Sequence, residues 1–278
     1  MADNAIFVLG ATGWIGSAIM RRIPCALPIS TGRALNDGLA AAFAAAGGEL
    51  SGPAVIVNAA GARLGDPADL APLNAGLAAE LAGFARTHHV SLVHLGSAAE
   101  YGLASDVNWV TEDMPAHPVS DYGKSKLAGS NAVLESGQGC VLRLFNIVDS
   151  PPQPGSPLAD IHQRILRGVR LGEPVEVLSA EIARDYVSRE FVAESVAAAA
   201  ELRLTGLFNL SSGRAVTVRH IAEATVRKLG SEITVRDLVA VPANSIAADS
   251  SRWLAASGLS QSLDAAAIAE FLVADTEE

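Results

Sequence analysis

Residues 5–16 read AIFVLGATGWIG, an unbroken apolar run that ends in glycines at positions 10, 13 and 16. From Trp14 onward the apolar residues adopt helical spacing as far as Ile23. That order predicts a buried strand, a tight turn and a helix, the opening of a βαβ unit. Gly10, Gly13 and Gly16 suit a turn in which backbone amides and a helix N-terminus face a pyrophosphate, because missing side chains permit close approach. Thr12, Trp14 and Ile15 fall inside the same turn and first helical residues, and are assigned to the dinucleotide with the glycines. Glycines at this interval also occur by chance, so the weight comes from the strand before them and the helix after.

Working outward, similar apolar runs recur at 25–29, 54–58, 91–95 and 140–145, separated by Ala/Leu-rich stretches of helical composition. The alternation predicts an α/β fold, a doubly wound parallel sheet of Rossmann type with helices on both faces. The string DSPPQPGSP at 149–157 is too rich in proline for helix or central strand and is expected to be a surface loop. Beyond it helices are expected over 158–170, 190–202, 218–229 and 263–273, with strands over 174–178 and 207–210. Residues 1–150 are therefore read as a dinucleotide-binding domain that carries the catalytic residues. Residues 151–278 are read as a smaller substrate-binding lobe interleaved with the last strands of the main sheet.

The composition narrows the class. A net charge of -10 over 278 residues disfavours nucleic acid, which is bound by neutralising phosphates with Lys and Arg. The Ala-rich stretches are interrupted by Glu, Arg, Asn and Gly too often to span a bilayer, and MADNAIFVLG does not resemble a signal peptide. A cytoplasmic protein with no membrane partner is expected. Cys25 and Cys140 are expected as two buried free thiols, and neither they nor the six histidines form a metal-ligand pattern, so no metal is assigned. His88 and His89 are read as a helix C-terminal feature.

At the end of the second strand, where an acid would bind the ribose of NAD, PISTGRALND offers Ser30, Thr31 and Arg33 instead. Those groups suit a 2′-phosphate, so NADP(H) is expected over NAD(H). Asn58, Ala59, Ala60 and Gly61 follow the third strand, and their small side chains leave room for the adenine and ribose, although a plain turn accounts for them almost as well. Ser97 follows the apolar strand at 92–95 and is expected at the carboxyl edge of the sheet, where open α/β sheets bind ligands. Tyr122 and Lys126, four apart in DYGKSK, share a helix face. A tyrosine hydroxyl is a poor acid or base at neutral pH unless a neighbouring ammonium and a positive nicotinamide lower its pKa. Ser97 then holds the substrate oxygen by a hydrogen bond, Tyr122 contacts both cofactor and substrate, Lys126 contacts the cofactor, and Ala98 and Ala99 are assigned to the substrate beside Ser97.

GATGWIG, NAAG, HLGSAAEYG and DYGKSKLAG, in this order, resemble the extended short-chain dehydrogenase/reductase family, also called the NAD-dependent epimerase/dehydratase family. The resemblance continues through RLFNIVDSP from Arg143, ARDYVSREFV from Ala183 and GLFNLSSGRAVTVRHIAEATVRKLG from Gly206. It implies Ser97, Tyr122 and Lys126 as the catalytic set, with Asn146 and Arg184 on a nucleotide-sugar substrate and Arg184 aimed at its diphosphate. It also implies a homodimer. Asn74 matches a recurrent asparagine of the family and is assigned to structure as readily as to the site.

Dehydratases of this family carry Thr-Asp-Glu where this chain has Ser97, Ala98 and Ala99, so the acid pair that removes water is absent. A fucose-type epimerase/reductase would need a cysteine near the same place. GSAAEYG with TEDMPAHPVSDYG is most similar to the GDP-4-keto-6-deoxymannose reductases, which implies reduction of a 4-keto group on a nucleotide-linked 6-deoxysugar. Glu100 belongs to that resemblance and is read as a structural or solvent-linked carboxylate in preference to a catalyst. A 4-epimerase needs the same three residues and stays open. So does reduction of a non-sugar ketone, because the family's Arg-x-Gly-Asp segment is replaced by VPANSIAADSS at 241–251. A catalytically silent cofactor-binding protein of the same fold is the remaining alternative.

Overall fold

A computed structural model describes residues 5–47, 54–102, 109–239 and 245–274; residues 241–244 of the departing C-terminal segment lie outside them. The first half runs β1 (Ile6–Leu9), α1 (Trp14–Arg22), β2 (Leu27–Ile29), α2 (Thr31–Asp37), α3 (Leu39–Ala46), β3 (Val55–Asn58), α4 (Pro67–Ala71), α5 (Leu77–His88), β4 (Ser91–Ser97), β5 (Trp109–Val110), α6 (Asp121–Glu135), β6 (Gly139–Leu144) and β7 (Asn146–Val148). The second continues through α7 (Pro157–Leu171), β8 (Val175–Val177), β9 (Ala183–Ser188), α8 (Arg189–Glu201), β10 (Gly206–Leu210), β11 (Ala215–Thr217), α9 (Val218–Lys228), β12 (Val235–Asp237), β13 (Ser245–Ala248), α10 (Ser251–Ser257) and α11 (Ala265–Ala274).

Six strands form one parallel sheet in the order β2-β1-β3-β4-β6-β10. Every residue of β3 and β6 is buried, which is why these strands read as continuous apolar runs without alternation. Val8, Val57, Val93 and Leu142 face one side and pack with Ile19 of α1 and Phe191, Val192 and Val196 of α8. Phe7, Ile56, Leu92 and Val141 face the other and pack with Phe43 of α3, Leu77 and Leu81 of α5 and Val133 of α6. The predicted doubly wound sheet is thus present, and its order reverses at β1, which has β2 on one side and β3 on the other. A crevice opens there at the strands' carboxyl ends.

Residues 189–210, long after the Pro-rich loop, return to this sheet as α8 and β10. The remaining strands, unforeseen in the sequence apart from the stretch around β8, make a second sheet ordered β11-β9-β13-β5, with β7 also on β9, and a two-stranded β12-β8 pair. They are two to six residues long and several are polar, as in ARDYVS of β9, so they lack the continuous apolar signature of the main sheet. One expectation is corrected: Cys25 is exposed, in the turn after α1, and only Cys140 is buried, where desolvation pushes its thiol up to about 12. His89 caps α5 in the left-handed conformation, and the His88 ring stacks on Phe84. Among the described residues no helix is long and apolar enough to cross a membrane, and no cluster of His, Cys, Asp or Glu is placed to hold a metal.

Trp253 of α10, 1% exposed, packs edge-on against Phe208 of β10 at 5.7 Å and so anchors the last strand of the sheet. Trp253→Ala should lower unfolding stability by about 3–5 kcal/mol in urea titration. A loss under about 1 kcal/mol would show that this end of the sheet does not depend on the indole.

Candidate active site

The turn after β1 is shaped by contact between backbones. Gly10 has φ +75, and a Cβ there would lie 2.6 Å from the amide nitrogen of Ala60. A Cβ on Gly16 would lie 1.9 Å from the Gly10 carbonyl oxygen. Glycine is therefore required at both, and helix α1 begins after Gly13, its N-cap, with no side chain capping its amides. Such a bare, uncapped helix N-terminus beside the β1–β3 crevice fits a dinucleotide pyrophosphate. Ile15 lines the adjoining cleft, and the Trp14 ring packs under the Arg189 guanidinium at 5.1 Å. Thr12 is exposed at the turn.

At the end of β2 the sequence candidates do more structural work than expected. Thr31 Oγ1 accepts the Gly10 N–H at 3.1 Å, and Ser30 Oγ caps α2 by accepting the Arg33 N–H at 3.2 Å. The Arg33 side chain is half exposed and lies 3.7 Å from Asp37. Asn58 is buried, and its Oδ1 accepts the Ala60 N–H while its Nδ2 donates to Nδ1 of His94, its cross-strand neighbour, at 3.1 Å. Ala59, Ala60 and Gly61 then form one wall of a cleft of about 480 Å³.

Ser97, Tyr122 and Lys126 meet in that cleft. Ser97 ends β4, where its Oγ accepts the Ala99 N–H at 3.2 Å and so keeps its own hydrogen available to donate. Ser120 caps α6, accepting the Gly123 N–H at 3.0 Å, and sets Tyr122 in the first turn. A Cβ on Gly123 would lie 2.5 Å from the Ala99 carbonyl oxygen, so glycine lets the helix approach the Ser97 turn. The Tyr122 hydroxyl engages the Ser97 side chain. Ala98 and Ala99 line the same wall, and Asn146 lines it from β7 while donating to the Asp185 carbonyl at 3.0 Å. Arg184 does not line the cleft; it donates to the Ala183 carbonyl at 2.8 Å and stands two residues before Tyr186, which does. Asn74, in a single wide helical turn over Pro72–Gly76, bonds both the N–H and the carbonyl of Ala62 and donates to Ser125 of α6, which ties the third strand's loop to the helix of Tyr122 and Lys126.

The electrostatics depart from the sequence reading. The protein's own groups leave Tyr122 above its ordinary pKa: burial dominates, the Ser97 hydrogen bond lowers it, Glu100 raises it and Arg63 lowers it. Arg63 supplies that lowering charge in place of the expected lysine. Lys126 is 4% exposed and burial brings its ammonium down to about 8, opposed by Glu100. Arg63 was not singled out in the sequence; it lines the cleft and donates to the Gly155 carbonyl of the Pro-rich loop at 2.6 Å, across the mouth. Phe145, Gln153, Leu158 and Tyr186 also line the cleft. Only the irregular composition of 149–157 hinted that this stretch leaves the regular scaffold.

A sequence model of the NAD dependent epimerase/dehydratase family matches residues 40–210. The dTDP-6-deoxy-L-talose 4-dehydrogenase (NAD(P)(+)) of Kitasatospora kifunensis is 37% identical over 154 residues, which cover 51% of this chain and 48% of that one. UDP-arabinose 4-epimerase 1 of Arabidopsis thaliana is 26% identical over 171 residues, 52% of this chain and 40% of that one. The chain thus spans less than half the length of these curated relatives. RMD from Pseudomonas aeruginosa, solved with NADPH, superposes with TM-score 0.81 at 19% identity over 99% of both chains. WbmG from Bordetella bronchiseptica, solved with NAD and UDP, gives 0.81 at 20% identity over 98% of this chain and 94% of that one.

Because Lys126 falls from 10.5 to about 8 on folding, the unfolded chain binds more protons between those values, and folded stability rises with pH through that window. In urea unfolding at about pH 7 and about pH 10, the wild type should gain on Lys126→Met by about 1–3 kcal/mol. An equal change in both proteins would remove the desolvated ammonium from the description.

Proposed function

The chain belongs to the NAD dependent epimerase/dehydratase family, and from that premise we propose that it is an NADPH-dependent reductase of the 4-keto group of a nucleotide-linked 6-deoxysugar. The observation that carries this reading is the meeting of Ser97, Tyr122 and Lys126 in one cleft beside the bare glycine turn, with alanines at 98 and 99 where a dehydratase needs acids. The Kitasatospora relative, by its name a 4-dehydrogenase of a dTDP-6-deoxysugar, supports both the carbon and the substrate class. The UDP-arabinose 4-epimerase relatives support the alternative, a 4-epimerase built on the same three residues.

When bound, the nicotinamide supplies or accepts hydride. Ser97 donates its free hydrogen to the carbonyl oxygen, while Tyr122 passes the proton that completes the alcohol. Lys126, buried beside Gly61, holds the ribose, and Arg63 biases the tyrosine toward giving up that proton. Asn146 orients the sugar, and Arg184, outside the cleft and two residues before Tyr186, meets a diphosphate that extends beyond the cleft with its planar array of donors. The NADPH preference rests on the absence of an acid at the end of β2 and on Arg33 there. A homodimer in the cytoplasm completes the reading.

Tyr122→Phe removes the proton and keeps the ring. Its turnover of dTDP- or GDP-linked 4-keto-6-deoxysugars should drop on the order of a hundredfold to ten-thousandfold while NADPH still binds. Near wild-type turnover would overturn the catalytic assignment, and product analysis by NMR separates net reduction from epimerisation. Arg33→Ala should raise KM for NADPH far more than for NADH, because only NADPH carries the 2′-phosphate. Equal effects on the two cofactors would end the NADP assignment.

A further inference from the structure

Directly behind the cleft wall lies a carboxylate that the proposed reaction does not use. Glu100 is 0% exposed, in the short turn Ala98–Glu100 that follows Ser97. Its Oε1 accepts the Ser97 N–H at 2.8 Å and the Ser130 hydroxyl of α6 at 2.9 Å, and its Oε2 accepts Arg143 Nε of β6 at 2.8 Å. Three elements therefore converge on one side chain: the strand end that presents Ser97, the helix that presents Tyr122 and Lys126, and the neighbouring strand. A Cβ on Gly96 would lie 2.8 Å from Glu100 Oε1, so the residue before Ser97 is a glycine where the carboxylate needs the space. Arg143 is also buried, and its guanidinium lies over the Tyr101 ring at 4.3 Å.

An ion pair this deep is a weak stabilising device, since apolar residues of similar volume commonly serve as well once desolvation is counted. Its place beneath the catalytic set gives it a different use. We infer that Glu100 is a positioning residue for that set, one buried carboxylate that fixes Ser97 against the helix of Tyr122 and Lys126 and holds a negative charge beneath them. The inference rests on the reading of Ser97, Tyr122 and Lys126 given above. The charge acts on both helix residues in the same direction, raising Tyr122 and opposing the burial that lowers Lys126. Arg63 faces Tyr122 from the loop after β3 and lowers it. His94 faces Lys126 from β4, and burial first, then that ammonium, hold the imidazole well below its ordinary value. Arg143 from β6 pairs with Glu100 itself and also contacts Tyr101, whose hydroxyl bonds Asn209.

Removing the charge while keeping the shape tests this, first through a titration that needs no substrate. The chain has three tyrosines, so tyrosinate absorbance in a pH titration of the full chain can be assigned to Tyr122 by difference against a Tyr122→Phe background. In Glu100→Gln the Tyr122 component should move down by about half a pH unit or more. The acid that protonates the substrate oxygen should move the same way in the kcat profile with NADPH and a dTDP-4-keto-6-deoxysugar. Glu100→Gln with Arg143→Gln, a neutral pair, guards against misfolding from an unpaired buried guanidinium and should shift Tyr122 in the same direction. A folded variant with an unshifted Tyr122 titration and only a lowered Tm overturns the inference, and so does failure of both variants to fold, which would make Glu100 a folding determinant alone. If Tyr122→Phe itself keeps its turnover, the catalytic reading has failed; if it is inactive while Glu100→Gln leaves the titration unmoved, only the role of Glu100 has.

Discussion

Everything near the cleft depends on how closely two backbones touch at Gly10. With no Cβ there, the turn after β1 rests on the Ala59–Ala60 peptide at the end of β3, and α1 seats its Gly16 on the Gly10 carbonyl. The same turn receives Thr31 from the start of α2, so three strand ends are drawn to one point. The crevice at the reversal of strand order is thereby held open by covalent geometry and sterics, with no dependence on a long flexible side chain. Larger residues at either glycine would have to push the main chain apart, and the amides of the helix N-terminus would no longer share an aim.

Around that frame the site works as a compact electrostatic device in a poorly solvated wall. Burial pushes the tyrosine up and the lysine down, so the two groups move apart in pKa before any ligand arrives, with the ammonium the first to lose its proton. Glu100 and Arg63 pull Tyr122 in opposite directions from opposite sides, one from beneath the wall and one from the mouth. Within a medium of low effective dielectric, modest displacements of either charge would be felt strongly. The hydrogen bonds of Asn74 and Glu100 restrict such displacements, since each spans the gap between the helix carrying Tyr122 and the loop or strand beside it.

The parallel sheet was legible in the sequence because its strands are buried on both faces and announce themselves as apolar runs. The glycine turn and Ser97 were legible because each directly follows such a run, and Tyr122 and Lys126 because they stand four apart in DYGKSK. The second sheet was not. Its strands are short, and β9 pairs with β11, β13 and β7, partners that sequence periodicity cannot connect. Arg63 escaped notice for a related reason, since only the fold brings it to Gly155, 92 residues away. Thr31 illustrates a third limit: a hydroxyl at the start of a helix beside a strand end can serve the backbone, as it does Gly10, or a ligand, and composition does not say which. Glu100 was recognised as structural, but its three simultaneous partners lie on different elements and are visible only in three dimensions.

The connection between β6 and β10 has a consequence for the growing chain. Leu144 ends one and Gly206 begins the other of two parallel paired strands, with Leu144 standing opposite Leu210, and everything between them must be synthesised before the sheet can acquire its sixth member. Until then β6, GCVLRL, is an edge with unsatisfied amides and faces that are apolar apart from Arg143, the kind of surface that invites pairing with another chain. The entropy of closing so long a loop grows only logarithmically, so completion is thermodynamically inexpensive yet late. During translation, then, the first half of the chain emerges as a sheet with a sticky margin, protected only when β10 docks and Trp253, still further along the chain, packs against it.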